Sequence, residues 1–375
     1  MNESSREMLA FYASPERDAD LFYWGGFRAP DPFLAFEIEG KRFAALSSLE
    51  FGRGQKEGKF DVVLPLEELM KESGAGNDIA RQILFLASEH GVSSIRVPDD
   101  FPGKIACDLK EEGSFGLEFS SRPVFKDRLR KSVSEQEFIR SVNNVISGAF
   151  DEVHRVLAEA AIKDGSLWYE GDLLRSEDVR QMIAVYCLKH GCLAEGTIVA
   201  GGDQACDPHE RGSGALPADS LIIVDIFPRS EQTGYFGDMT RTFLKGKASP
   251  QQRKLVDAVR VAQEMALATV SSGVDGLEIH RSVNDSFEKA GFETGKNEKG
   301  YFGFFHGTGH GLGLEIHEEP RVSRQPFSLE SGMVTTIEPG LYYPGLGGCR
   351  IEDVVVVQEN GMEMLSAHPR EWEIA

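Results

Sequence analysis

Several features that would assign this chain to a special class are missing. Its 375 residues hold five cysteines: Cys107, Cys187, Cys192, Cys206 and Cys349. They form no CxxC pair and leave one over, which argues against a disulfide framework or a thiolate zinc site. No apolar run approaches the ~18–20 residues that span a bilayer, so no membrane partner is expected. The opening MNESSREMLAFY has neither a basic region nor a long apolar segment. No secretory signal is read there, and a cytoplasmic protein is expected. Positive charge is short as well. Lys and Arg number 40 against 60 Asp and Glu, a formal charge of −20. A field of that sign repels phosphate backbones, so nucleic acid is not an expected partner. Histidine is scarce, with nine in the chain, yet three of them fall in residues 306–318, HGTGHGLGLEIHE.

What remains is an ordinary globular composition, 41% hydrophobic and 27% charged, long enough for two domains. Residues 21–65 look like strands, and AFEIEGKRFAALSS reads as a hairpin turning near Glu39–Gly40–Lys41. LEELMKES and NDIARQILFLASEHG have helical spacing, and SSIRVP is a short strand. This alternation predicts a small α/β domain over residues 1–125. The basic stretch KDRLRK at 126–131 reads as a solvated linker. Ser134 and Glu137 then form a capping box that opens a helix with Phe138, Val142, Val145, Ile146, Ala149 and Val153 on its apolar face. The second domain is placed at 126–375. Further helices are expected around 176–190, 250–271 and 275–290, the second with Ser249 as N-cap and Pro250 at its first position.

Two segments of the second domain repeat a pattern. LIIVDIFPRSEQTGYFGDMTRTFL (221–244) and MVTTIEPGLYYPGLGGCRIEDVVVV (333–357) each hold an apolar strand ending in an acid, a Gly/Pro-rich connection, and a second acid opening another strand. The acids are Asp225 and Asp238, then Glu338 and Glu352, at intervals of 13 and 14 residues. An ionised acid buried alone costs several kcal/mol. Four become tolerable when they share cations. His310 lies between the two units, among glycines that let backbone approach a crowded site. Four carboxylates and one imidazole suit a pair of divalent metals. A phosphate-cradling loop would need a helix start after the glycines, and EIHEEPRV shows none.

These motifs resemble the proline-directed metallopeptidases of the pita-bread fold: prolidases, Xaa-Pro aminopeptidases and, more distantly, methionine aminopeptidases. Asp225, GYFGDMTRT with Asp238, HGTGHGLGLEIHE, TTIEPG and RIED carry the resemblance across residues 209–353. It implies an α+β protein, with a C-terminal pita-bread (creatinase/aminopeptidase-like) catalytic domain and a smaller N-terminal α/β domain. By resemblance Asp225 binds one metal, Asp238 and Glu352 bridge the pair, and His310 and Glu338 bind the other. A hydroxide between the metals would be the nucleophile, with Glu338 taking its proton. His209, 16 residues before Asp225, matches a substrate-contacting histidine. His317 matches the one that stabilises the tetrahedral intermediate. His306 matches a pocket-lining histidine. Arg350 matches an arginine placed to support Glu352 or contact substrate.

The implied activity is hydrolysis of the Xaa-Pro bond of dipeptides or short peptides, by a homodimer using two divalent ions. Mn²⁺ is the first choice for so oxygen-rich a site, and Co²⁺, Fe²⁺ or Zn²⁺ also fit. Phe227, Tyr235, Phe236 and residues 301–305 are candidates for an apolar wall against proline. The connection from Asp225 to Asp238 is about two residues longer than the family's usual one. That departure keeps open a lyase or a small-molecule amide hydrolase on the same scaffold. A binding protein without catalysis ranks last, because such members typically lose metal ligands and all five are present.

Overall fold

A computed structural model describes residues 6–112, 115–298 and 300–375. The chain divides into two compact units, Met1–Arg128 and Leu129–Ala375.

The first unit is built on a six-stranded sheet. Its strands run in the order Val62–Pro65, Lys41–Leu46, Phe33–Ile38, Arg6–Ala13, Val92–Pro98, Gly116–Ser120. Alternate residues of the first strand serve opposite faces. Met8 and Ala10 pack with Ile83 and Leu86 of the helix Ile79–Glu89, while Leu9 and Phe11 pack with Leu21, Trp24 and Phe27. Both faces are covered, which is why MLAF is a continuous apolar run. The expected hairpin forms, with Phe33–Ile38 pairing antiparallel to Lys41–Leu46 across Glu39–Gly40.

Two expectations fail here. LFYWG is not a strand but lies in the helix Ala19–Gly25, capped by the Asp18 side chain accepting from the Leu21 amide. A short apolar run has no period of its own, and the cap decides it. Nor is 126–131 simply a solvated linker. Arg128 is buried and donates to Asp20 at 2.8 Å, and Lys131 is buried against Glu318.

In the second unit the long helix is Val133–Glu159, and its capping box is Ser132 with Glu135, not Ser134 with Glu137. SVSEQE holds the Ser-x-x-Glu spacing twice, and the chain uses the first copy. The helices Ser176–Lys189, Pro250–Thr269 and Gly276–Lys289 lie where expected, the second with the Ser249 cap and Pro250.

Two sheets carry the acids. One orders Ile198–Gly201, Ile222–Ile226, Met239–Lys245 and Glu373–Ile374. The other orders Glu318–Val322, Gly309–Gly311, Val334–Ile337, Asp353–Gln358 and Gly361–Met364. Ile222, Val224, Ile226, Met239 and Phe243 face the helices Val133–Glu159 and Ser176–Lys189. Ile337, Val355 and Val357 likewise face Pro250–Thr269 and Gly276–Lys289. The period of two then turns Asp225, Asp238, Glu338 and Glu352 to the faces away from the helices. Burying one face fixes the position of every acid on the other. No helix among the described residues is long and apolar enough to cross a membrane.

Candidate metal centre

The four acids and His310 line one cavity of about 770 Å³. His209, His306, His317 and Arg350 line it too, so the cavity brings together the expected metal ligands and catalytic residues, though not every candidate for the apolar wall. Asp225 pairs across its hairpin with Thr240, and Asp238 sits two residues from Thr240 on the same face. In the other sheet Ile337 pairs with Asp353, which sets Glu338 and Glu352 opposite each other just beyond the ladder.

His310 enters from the short strand Gly309–Gly311. Its amide donates to Thr336 Oγ1 at 3.1 Å. A Cβ on Gly309 would stand 1.9 Å from the Thr336 carbonyl oxygen, so only glycine fits beside the acid-bearing strand. His310 Nδ1 lies 3.1 Å from the Gly311 carbonyl oxygen and must carry the proton, which leaves Nε2 with a lone pair. Nε2 stands 3.4 Å from Glu338 Oε1 and 3.7 Å from Asp238 Oδ2. Burial and the neighbouring His317 push the His310 pKa down to about 3, so the ring is neutral. Asp238, His310 and Glu352 offer ligand atoms within 4.8 Å of one another.

This constellation is short of positive charge. Burial, with Glu352 and Asp225 close by, raises the Asp238 pKa well above the carboxylate range. Burial, with Glu338 and Asp225, does the same to Glu352. Burial raises Glu338 to about 7. Asp225 Oδ1 is buried with no hydrogen-bond partner among the described residues. Lone pairs converging on one place, a proton excess and an orphaned carboxylate oxygen all fit divalent cations.

Arg350 is the compensating cation, and it reaches Glu352 only through Thr240. It does not bond its near neighbour Glu352 but reaches Asp225 Oδ2 at 2.7 Å. Nη1 donates to the Tyr342 hydroxyl at 2.9 Å and Nε to Thr240 Oγ1 at 3.3 Å. Glu352 instead accepts from the Thr240 hydroxyl at 2.7 Å. His306 closes the chain. Its Nδ1 donates to the Gly307 carbonyl at 2.7 Å, so Nε2 accepts from Tyr342 Oη at 2.8 Å. Both ring nitrogens are thus engaged by protein. Burial pushes the His306 pKa down to about 3, helped by Arg350.

His317 is exposed to the cavity, and its ring meets that of His310 edge-on at 4.4 Å between centroids. His209 is exposed at the mouth. Phe227 and Phe305 line the cavity with Ile198 and Ile316. Tyr235 is core-packed instead and donates to Glu135 Oε1 at 2.5 Å, while Tyr301 is exposed outside the cavity.

Arg321 was not singled out from the sequence. It lines the cavity, and among the described residues no acid pairs with it. Its Cα pairs with that of His310 in the antiparallel ladder. Directly opposite residues share a face, so Arg321 is carried to the face from which His310 enters. Its charge lowers the pKa values of His310, His317 and Glu338. An arginine two residues after HEE gave no signal until the strand pairing was known.

The profile of metallopeptidase family M24 matches residues 137–359. The Xaa-Pro dipeptidase of Pyrococcus furiosus is 36% identical over 177 residues, 47% of this chain and 48% of that protein. The chain thus matches about half the length of that relative. A peptidase of Methanocaldococcus jannaschii without an assigned substrate is 37% identical over 296 residues, 71% of this chain and 81% of its own. The solved Xaa-Pro dipeptidase from Bacillus anthracis superposes with a TM-score of 0.82 at 23% identity, covering 99% of this chain and 95% of that one. The fold is therefore the pita-bread fold, with an N-terminal domain before it. The chain belongs to metallopeptidase family M24.

Proposed function

We propose that this chain is a dinuclear metal-dependent dipeptidase that cleaves Xaa-Pro dipeptides. The carrying observation is Arg321, a cation set opposite His310, lining the cavity and paired with no acid among the described residues. A dipeptide brings its own carboxylate within one residue of the scissile bond, and guanidinium matches that group in charge and shape. A longer peptide brings a neutral amide there. Relatives named Xaa-Pro dipeptidases support the same reading.

Asp225, Asp238 and Glu352 would hold one cation, and Asp238, His310, Glu338 and Glu352 the other, with Mn²⁺ the best match to the oxygen-rich set. Bound divalent cations supply Lewis acidity at the amide carbonyl and make water a nucleophile near neutral pH. Glu338, 3.4 Å from His310 Nε2, would accept a proton from the attacking water. His317 would donate to the oxygen that gains charge. Arg350 holds Asp225, and Tyr342 with His306 holds Arg350. Proline brings no amide hydrogen, so the apolar wall of Ile198, Phe227, Phe305 and Ile316 need offer it no acceptor.

The test is a substrate panel on protein of defined metal content: Ala-Pro, Ala-Pro amide, Ala-Pro-Ala, Ala-Ala and a small non-peptide amide. Ala-Pro should exceed its amide by roughly 10- to 100-fold in kcat/KM, the worth of one charged hydrogen bond. Arg321→Met should remove that preference. Equal rates on the acid, the amide and the tripeptide would make it an aminopeptidase. Equal rates on Ala-Pro and Ala-Ala would reject proline preference, and activity on the non-peptide amide alone would move the chain out of peptide hydrolysis.

A further inference from the structure

The ring of His317 makes no hydrogen bond to the protein among the described residues, and its one ring neighbour is His310. Its position must therefore come from its backbone. The next residue, Glu318, is buried and pairs with Lys131 at 3.0 Å, the side chains only 7% and 2% exposed. Lys131 is a fixed post. Its amide donates to the Gly332 carbonyl at 2.8 Å, and its carbonyl accepts from Gln136 Nε2 at 2.7 Å.

Glu318 ties the post to the loop between His310 and His317. Its Oε1 accepts from the Glu315 amide at 3.0 Å, and the Glu315 carbonyl accepts from the Gly313 amide at 3.0 Å. The Gly313 carbonyl in turn accepts from the Phe236 amide at 2.8 Å, two residues before Asp238. Gly313 packs directly against the pair. A Cβ there would lie 2.9 Å from Glu318 Oε2 and 3.0 Å from Lys131 Cε.

Replacing a buried ion pair by apolar residues of similar size is often neutral or stabilising, so stability alone does not account for this one. We propose that Lys131 and Glu318 are positioning residues, holding the 312–317 loop so that His317 stands over the metal centre against His310. This rests on the reading of His317 as the group that addresses the scissile amide.

The test compares Lys131→Met/Glu318→Leu with wild type by Tm, by kcat and KM on Ala-Pro, and by ¹H–¹³C spectra of histidine rings in the EDTA-treated full chain. The His317 signal is assigned by its absence in His317→Ala. The double variant should keep its Tm while the His317 signal shifts and that of His280 stays. Its kcat should fall roughly 10- to 100-fold, as misplacement by about 1 Å does, with KM little changed. A stable double variant with an unmoved His317 signal overturns the proposal, as does one with wild-type kcat. If the double variant does not fold, Glu318→Gln decides: the same signal should move, and an unmoved one overturns the proposal. A wild type inactive on every peptide would reject the proposed activity, and the spectra would still decide the positioning claim.

Discussion

Arg350 Nη2 donates to Asp225 Oδ2 at 2.7 Å, while Asp225 Oδ1 is left buried without a partner among the described residues. One guanidinium thus fixes the carboxylate and leaves its second oxygen for another cation. The same group also bonds Tyr342 and Thr240.

Lysine carries the same charge without the planar fork, so it cannot serve all three partners at once. Arg350→Lys should therefore fold, lose at least about tenfold in kcat/KM, the size of one charged hydrogen bond, and hold metal more weakly. Kinetics at saturating metal and metal retention after desalting measure the two effects. Unchanged values of both would reduce Arg350 to a charge that any cation could supply.

Asp238 lies among the converging ligand atoms with His310 and Glu352. If it bridges two cations, its loss should weaken both sites together. Wild type should bind two divalent equivalents by titration calorimetry, and Asp238→Ala fewer than one at the same free metal. Saturation of wild type at a single equivalent would end the dinuclear claim.

The acids were legible because an ionisable residue inside an apolar strand is costly, and the period of two says which face it takes. His310 was legible from its glycines. Their local reason, the closeness of the Thr336 carbonyl to Gly309, belongs to the folded sheet. Arg321 was not legible, because what makes it notable is an antiparallel pairing with His310 that no local pattern encodes. Arg350 was legible as a cation of the site, while its bond to Asp225 and its link to Glu352 through Thr240 belong to the fold. In the first unit, LFYWG was ambiguous by itself, and the deciding signal, Asp18 as N-cap, stands outside the run.

Titration gives a third expectation. In metal-free protein Asp238, Glu338 and Glu352 hold protons that the unfolded chain has lost, because their folded pKa values are raised. The folded state then binds more protons, so stability falls as pH rises. His280, His306, His310, His317 and His368 act oppositely, because their folded pKa values are lowered, and that effect fades as pH rises past their ordinary value of 6.5. Above about 7 the raised carboxylates therefore dominate. Denaturant unfolding of EDTA-treated protein should show stability declining across that window, and the decline should vanish when divalent metal is added. Metal affinity should rise over the same range, because binding displaces those protons. A flat profile in the metal-free protein would mean that the acids are not crowded as the structure has them.

His317 provides the last. Burial, with Arg321 and His209 near, pushes its pKa below the ordinary value, so the ring is neutral at pH 7 and keeps one N–H to donate. It is exposed to the cavity and bonds no protein group among the described residues, so its removal should leave fold and metal sites in place. His317→Ala should keep wild-type Tm and metal content while kcat falls about 10²–10³-fold, the usual cost of losing a donor to a developing oxyanion. KM should change far less, because the bond strengthens only as charge develops on the carbonyl. Lost metal in the variant would instead make His317 part of the ligand cage. Unchanged turnover in a fully metallated variant would show that the ring only fills space beside His310.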